Sequence, residues 1–281
     1  MEPTLKSLLA CLIFVWIQYS HQERFQCQHV PIEVQWHQVE SCVQLDSNQH
    51  SFLELESDLL QNHTILELVN SSFTQFGSNH FRVIPPNVKV LSIYHGNVTE
   101  VYFMSDSIRS LSILDTNLSR FFAAEQENHE LKSLEIRSKA MEAVPFSIEY
   151  LRGLEKLLLR GCNLTTVDTE QFGPLRNLMI LDLAENAITT IDIPMKATLI
   201  SITDFYVEDN LLRELDNFPL ALPSLRTLSL FGNKWYCDWV TLVRRRIMRA
   251  RIMVYGGEND CENRIHNGGL CCDKRPEKAI V

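Results

Sequence analysis

Leu178-Met-Ile-Leu-Asp-Leu-Ala-Glu-Asn-Ala-Ile188 is answered further along by Ile202-Thr-Asp-Phe-Tyr-Val-Glu-Asp-Asn-Leu-Leu212. Both stretches carry apolar residues at positions one, four, six and eleven, and Asn at position nine. Working outward, six more segments fit this spacing. Taking position four as the marker gives Leu66, Leu91, Leu111, Leu134, Leu157, Leu181, Phe205 and Leu228, at separations of 25, 20, 23, 23, 24, 24 and 23 residues. A period of that length marks a stack of similar units rather than one long helix or strand. A single unit cannot bury its own apolar edge, so neighbours share one continuous core.

The template Leu-x-x-Leu-x-Leu-x-x-Asn-x-Leu is that of the leucine-rich repeat, in which each unit supplies a short strand and a returning segment. The expected fold is therefore an α/β repeat, a leucine-rich-repeat solenoid of about eight repeats with disulfide-bonded N- and C-terminal caps. Residues 1–20 are expected to be a signal peptide, 21–60 the N-terminal cap, 61–235 the repeats and 236–281 the C-terminal cap. Position nine holds Asn186, Asn210 and Asn233 in the last three repeats, but Ser71, Gly96, Thr116, Lys139 and Cys162 earlier. Ser, Thr and Cys retain some hydrogen-bonding capacity there. Lys139 and Gly96 do not fit, which predicts irregular turns at those two levels. Phe172, Leu175 and Leu178 follow the extracellular form of the repeat, with an aromatic on the convex side.

The chain opens with a short charged start, an apolar run Leu8–Ile17 and a polar stretch Gln18–Glu23. A run that short reads as a secretory signal rather than a membrane span, which needs about 20 residues. Five Asn-x-Ser/Thr triplets, at Asn62, Asn70, Asn97, Asn117 and Asn163, are candidate glycosylation sites and agree with a secreted, extracellular protein. Asn97, Asn117 and Asn163 share position ten, where a side chain points out of the turn. A net charge of −9 argues against nucleic acid as a partner. One basic segment, Arg244, Arg245, Arg246, Arg249 and Arg251, interleaves with Val240, Val243, Ile247 and Val254 at helical spacing and reads as the solvated face of a capping helix.

Cys11 lies in the signal segment, which leaves seven cysteines. Cys27 and Cys42 bracket an aromatic and β-branched stretch and are expected to close an N-terminal hairpin by a disulfide. Cys162 falls on an interior ladder position and reads as a buried free thiol. Cys237, Cys261, Cys271 and Cys272 follow the last repeat. A bond between adjacent Cys271 and Cys272 is strained, so each is expected to join Cys237 or Cys261, in an order the spacing leaves open. A zinc site is the rival reading, disfavoured in an oxidising compartment. No metal or other cofactor is expected.

The stretch Asn233-Lys-Trp-Tyr-Cys237-Asp-Trp239 resembles the start of the extracellular repeat cap, with Lys234 in place of Pro and Trp239 in place of a second Cys. Together with the N-terminal cysteines and the Cys237…Cys261…Cys271-Cys272 pattern, the chain resembles the mosquito leucine-rich-repeat immune proteins. That resemblance implies circulation in haemolymph and a protein partner, either a complement-like thioester protein or another leucine-rich-repeat protein. Longer members of that family pair through coiled coils. No heptad pattern occurs here, so the chain resembles a coil-less member.

A nucleophile elbow, a His-Glu-x-x-His helix, a phosphate-cradling glycine loop and a pocketed carboxylate pair are all missing, so no enzyme activity is expected. The candidate surface is instead the exposed strand face. Its columns supply Tyr94, Arg137, Arg160, Asp182, Tyr206, Glu208 and Phe231, a selection rich in interface residue types. Leu114, Leu158 and Phe231 read as exposed apolar positions that favour binding. The function expected is a secreted binding protein of innate immunity, recognising microbes or scaffolding a partner through its concave face. A developmental or adhesion protein binding through the same face is the alternative.

Overall fold

The computed structural model describes residues 42–46, 60, 62–194 and 199–276. Its main sheet is a row of ten parallel strands. The first four are β1 (Cys42–Asp46), β2 (Ile65–Phe76), β3 (Val90–Phe103) and β4 (Ser110–Leu114). They are followed by β6 (Ser133–Arg137), β7 (Lys156–Leu158), β9 (Ile180–Asp182), β11 (Asp204–Tyr206), β12 (Thr227–Ser229) and β13 (Met253–Tyr255). β5 (Arg120–Ala123) pairs with the far half of β3, and β8 (Thr166–Asp168) pairs with β10 (Thr190–Asp192) away from the main row.

The eight marker residues face one another in direct register. Leu66 pairs Leu91, then Leu111, Leu134, Leu157, Leu181, Phe205 and Leu228. All eight are at most 1% exposed, so the sequence period is the core itself. The row extends one level beyond them at each end. Cys42, expected at the edge of a hairpin cap, begins a strand parallel to β2. At the other end β13, within the expected C-terminal cap, continues the sheet. Val254, read into the helical stripe, lies on this last strand instead.

At seven of the eight levels the residue at position eight is left-handed, the exception being Ser138 at the fourth level. Asn70, His95, Asp115, Gly161, Glu185, Asp209 and Gly232 all have φ between 53° and 69°. Position nine then reaches inward. The Nδ2 of Asn210 donates to the carbonyls of Leu183 (2.9 Å), Val207 (3.2 Å) and Glu208 (3.1 Å), while its Oδ1 accepts from Ile188 N–H (2.9 Å). Asn186 and Asn233 repeat this arrangement one level down and one level up. The two misfit levels depart in different ways. At Lys139 the inward role slips by one residue: the buried Ser138 hydroxyl donates to Thr116 O (2.9 Å) and Lys139 is exposed. At Gly96 (φ 91°) pairing with β2 resumes directly after the left-handed His95, and a Cβ there would lie 2.2 Å from Ser71 O.

The C-terminal end is closed by α2 (Cys237–Ala250), the helix after α1 (Ser78–Val83). Trp239, Val240, Val243 and Ile247 face inward, and Trp239 stacks on Trp235 at 4.3 Å. The indole N–H groups satisfy buried carbonyls, Trp235 to Leu230 (2.7 Å) and Trp239 to Leu215 (3.2 Å). Arg244, Arg245, Arg249 and Arg251 are exposed, the solvated face read from their spacing, whereas Arg246 is half-buried and donates to Phe218 O. The cap is stapled by disulfides Cys237–Cys272 and Cys261–Cys271, which resolves the order left open above. Cys162 is a buried free thiol whose pKa is raised by burial. Cys42 is disulfide-bonded, and its expected partner Cys27 lies outside the described residues.

Candidate binding interface

Alternate residues of parallel strands share a face, so positions five and seven line the concave surface. Number the levels by their markers, from Leu66 as level one to Leu228 as level eight. Position seven reads Tyr94, Leu114, Arg137, Arg160, Ala184, Glu208 and Phe231 over levels two to eight. The face is not uniform. Tyr94 (7% exposed) and Leu114 (4%) are buried, so the expectation of Leu114 as an exposed apolar contact is corrected. Burial, followed by the nearby Glu135 and Glu67 charges, raises the Tyr94 phenol well above its ordinary pKa. Leu158 and Phe231 are half-buried rather than exposed. Phe231 packs against the core, with its ring over Gly256, where an added Cβ would come within 2.4 Å of it. Arg137 is exposed.

Levels five to seven hold the chemistry. Arg160 donates from NH1 to Glu208 Oε1 (2.7 Å) and from NH2 to Glu185 Oε1 (2.8 Å), and Asp182 Oδ2 lies 3.9 Å away. This pairing crosses two strand spacings, and Ala184 makes it possible. A methyl at position seven of level six leaves room for the guanidinium to lie across that level. Strand alternation alone puts these residues on one face; the signal for the bridge between them is the Arg-Ala-Glu run down one column, Arg160, Ala184 and Glu208.

Burial opposes the Arg160 charge, but the hydrogen bonds to Glu208 and Glu185 outweigh it and hold its pKa above the ordinary value. Burial pushes Asp182 up to about 6, with Glu208 and Glu185 adding to the rise while the Ala184 N–H and Arg160 oppose it. Burial likewise raises Asp209, ahead of the Glu208 charge. Glu208 is 6% exposed, and its Oε2 accepts no hydrogen bond among the described residues. At neutral pH one guanidinium stands among four carboxylates (Asp182, Glu185, Glu208 and Asp209), so the patch is net acidic. Tyr206 lies beside it, half-buried, its hydroxyl 3.5 Å from Asp204 Oδ1. Among the described residues, no group of three or more His, Cys, Asp and Glu could hold a metal ion.

Residues 152–212 match the leucine-rich-repeat family model. The fold is a leucine-rich repeat. No curated protein matches the chain in sequence. Among solved leucine-rich-repeat structures, one of the LRIM1/APL1C complex is similar at TM-score 0.54 and 16% identity, covering 79% of this chain and 44% of that one. This chain therefore spans less than half the length of that neighbour. The LRIM1 leucine-rich-repeat domain is similar at TM-score 0.53 and 14% identity, covering 83% and 90%. Human 5T4 is similar at TM-score 0.57 and 19% identity, covering 72% and 81%. The resemblance to mosquito leucine-rich-repeat immune proteins thus has structural neighbours behind it, at low identity. Identities this low establish the shared fold.

Among the described residues, no helix is long and apolar enough to cross a membrane. All the sequon asparagines except Asn70 are exposed; Asn70 is half-buried, and its Nδ2 lies 3.5 Å from Asp46 Oδ2.

Proposed function

We propose that this chain is a secreted leucine-rich-repeat binding protein of innate immunity, which recognises microbes or scaffolds a protein partner through levels five to eight of its concave face. The observation that carries the reading is the Arg160 bridge. It fixes a charged patch between half-buried Leu158 and Tyr206, giving a rigid polar centre with apolar flanks. The partner presents a net basic surface to the acidic patch, because electrostatic complementarity governs orientation and encounter rate. Support for a protein partner also comes from LRIM1, a similar structure solved in complex with APL1C. By the same resemblance the partner is a complement-like thioester protein or another leucine-rich-repeat protein. Two cap disulfides support an oxidising, extracellular setting. A developmental or adhesion role through the same face is the second reading, supported by the likeness to human 5T4, also called Wnt-activated inhibitory factor 1.

The test is capture from body fluid by tagged protein, before and after microbial challenge. Leu158→Ala with Tyr206→Ala should leave the unfolding temperature near that of the parent, because neither side chain belongs to the core cluster. The same pair should cost roughly 2 kcal/mol or more of partner affinity. Phe231 is left intact because truncating it would also loosen the core. Equal capture by parent and variant would place the site elsewhere, most plainly on the arginine-bearing face of α2.

Processing follows from the same reading. Secreted protein should begin near His21 and lose mass on deglycosylation. Intact mass spectrometry showing residues 1–20 retained, or no sugar on any of the five asparagines, counts against secretion. With Cys162 interior, the four cap cysteines joined to one another and Cys42 disulfide-bonded, non-reducing gels should show a monomer. A dominant dimer band that collapses on reduction contradicts this.

A further inference from the structure

A column of stacked rings runs along the flank of the solenoid, away from the concave face. Tyr102 of β3 stacks on Phe122 of β5, with centroids 4.6 Å apart and planes 11° from parallel. Phe122 stacks in turn on Phe146, at 5.3 Å and 17°, across an isolated parallel bridge. The column follows the strand register, since Tyr102 pairs with Phe122. Continued toward the N-terminus, the same register matches Phe76 with Val101 and so sets Gly77 beside Tyr102. A Cβ on Gly77 would lie 3.5 Å from Tyr102 Cβ, an ordinary contact. Glycine therefore stands where the next ring of the column belongs.

The space it leaves is a cavity of about 410 Å³ lined by Gln75, Gly77, Asn79, His80, Tyr102 and Met104. The His80 ring stacks on Phe76 at 4.7 Å, and its Nδ1 accepts the Gly77 N–H (3.1 Å), which ties the glycine backbone in place. Burial lowers the His80 pKa, so the ring adds little charge at neutral pH.

We propose that this slot receives the aromatic side chain of a protein partner, which stacks on Tyr102 and continues the column. The spacing argues for a ring, because offset-stacked rings settle with centroids about 4.5–7 Å apart, the range the column already uses. The lining argues for a ring with a polar edge, Trp or Tyr rather than Phe, because Gln75 and Asn79 on it carry hydrogen-bonding side chains. Delivery on a polypeptide follows from the surroundings. Met104, 51% exposed, lies on the slot's own lining and gives an apolar surface for the residues flanking the ring. This contact is independent of the concave-face reading and lies on a different side of the molecule.

The probe is N-acetyl-tryptophanamide, titrated against the intact secreted protein by ligand-observed NMR. Saturable binding is expected, at least tenfold tighter than that of N-acetyl-leucinamide. Gly77 has φ of −146°, extended backbone open to any residue, so Gly77→Phe fills the slot with the protein's own ring. That variant should unfold at the same or a higher temperature and bind the probe at least tenfold more weakly. Tyr102→Leu, which keeps bulk but removes the stacking face, should weaken binding at least fivefold and decides the matter if Gly77→Phe does not fold. Absence of saturable binding, parity with the leucine amide, or smaller losses in the folded variants overturns the site. Indole or N-acetylglucosamine binding tenfold more tightly than the capped amide overturns delivery by a polypeptide.

Discussion

Asn210→Ala is expected to destabilise the protein by about 3 kcal/mol, far more than a polar truncation at the surface. The side chain is 3% exposed and serves three carbonyls and one N–H, tying level seven to level six. Removing it leaves buried backbone groups that water cannot reach, each costing about 1–3 kcal/mol where relaxation does not rescue it. Urea unfolding of parent and variant measures the difference. A loss below about 1 kcal/mol would mean that the turns are held by the apolar ladder alone, and that the Asn column follows the fold rather than supporting it. Cys162→Ala, at the same template position of level five, is expected to cost less. Its thiol donates only weakly, to Ile136 O at 3.4 Å, and thiol hydrogen bonds hold less than the amide of Asn210.

The second large effect is a pH dependence from Asp182. Its folded pKa, about 6, lies above the ordinary 3.8 because burial disfavours the charge. Between those values the folded state holds a proton that the unfolded state has released. Stability therefore falls as pH rises through the window from 3.8 to about 6, and stays at the lower level above it. The size is about 3 kcal/mol, at 1.36 kcal/mol for each pH step of one. Asp182→Asn removes this dependence while keeping an oxygen for the Ala184 N–H, which lies 2.9 Å from Oδ1. The stability of the variant relative to the parent should therefore rise by about 3 kcal/mol from pH 3.5 to pH 7. A constant difference across that range would show that Arg160 neutralises the burial cost fully.

The sequence by itself determined the solenoid, because each apolar position of the template recurs at a spacing that only stacked strands satisfy. The register of Leu66 through Leu228 was readable from those separations, as was the burial of Asn210 and Cys162. The composition of the concave face was readable too, since strand alternation assigns each position to one side. What the tertiary structure decided is which residues on that face meet. Arg160 and Glu208 are 48 residues apart and two levels apart, and they touch because Ala184 between them is small. No local pattern announces such a contact; it depends on the level spacing and on side-chain reach together. The same holds for burial on the face: alternation turns Tyr94 and Leu114 to the concave side, but only packing shows that they are covered. The cap disulfides follow this rule as well, since adjacent Cys271 and Cys272 offer equivalent pairings until the hairpin Ile265–Cys272 and the start of α2 bring each to its partner. Gly77, unremarkable in one dimension, becomes the missing ring of a column only when β2 and β3 are laid in register.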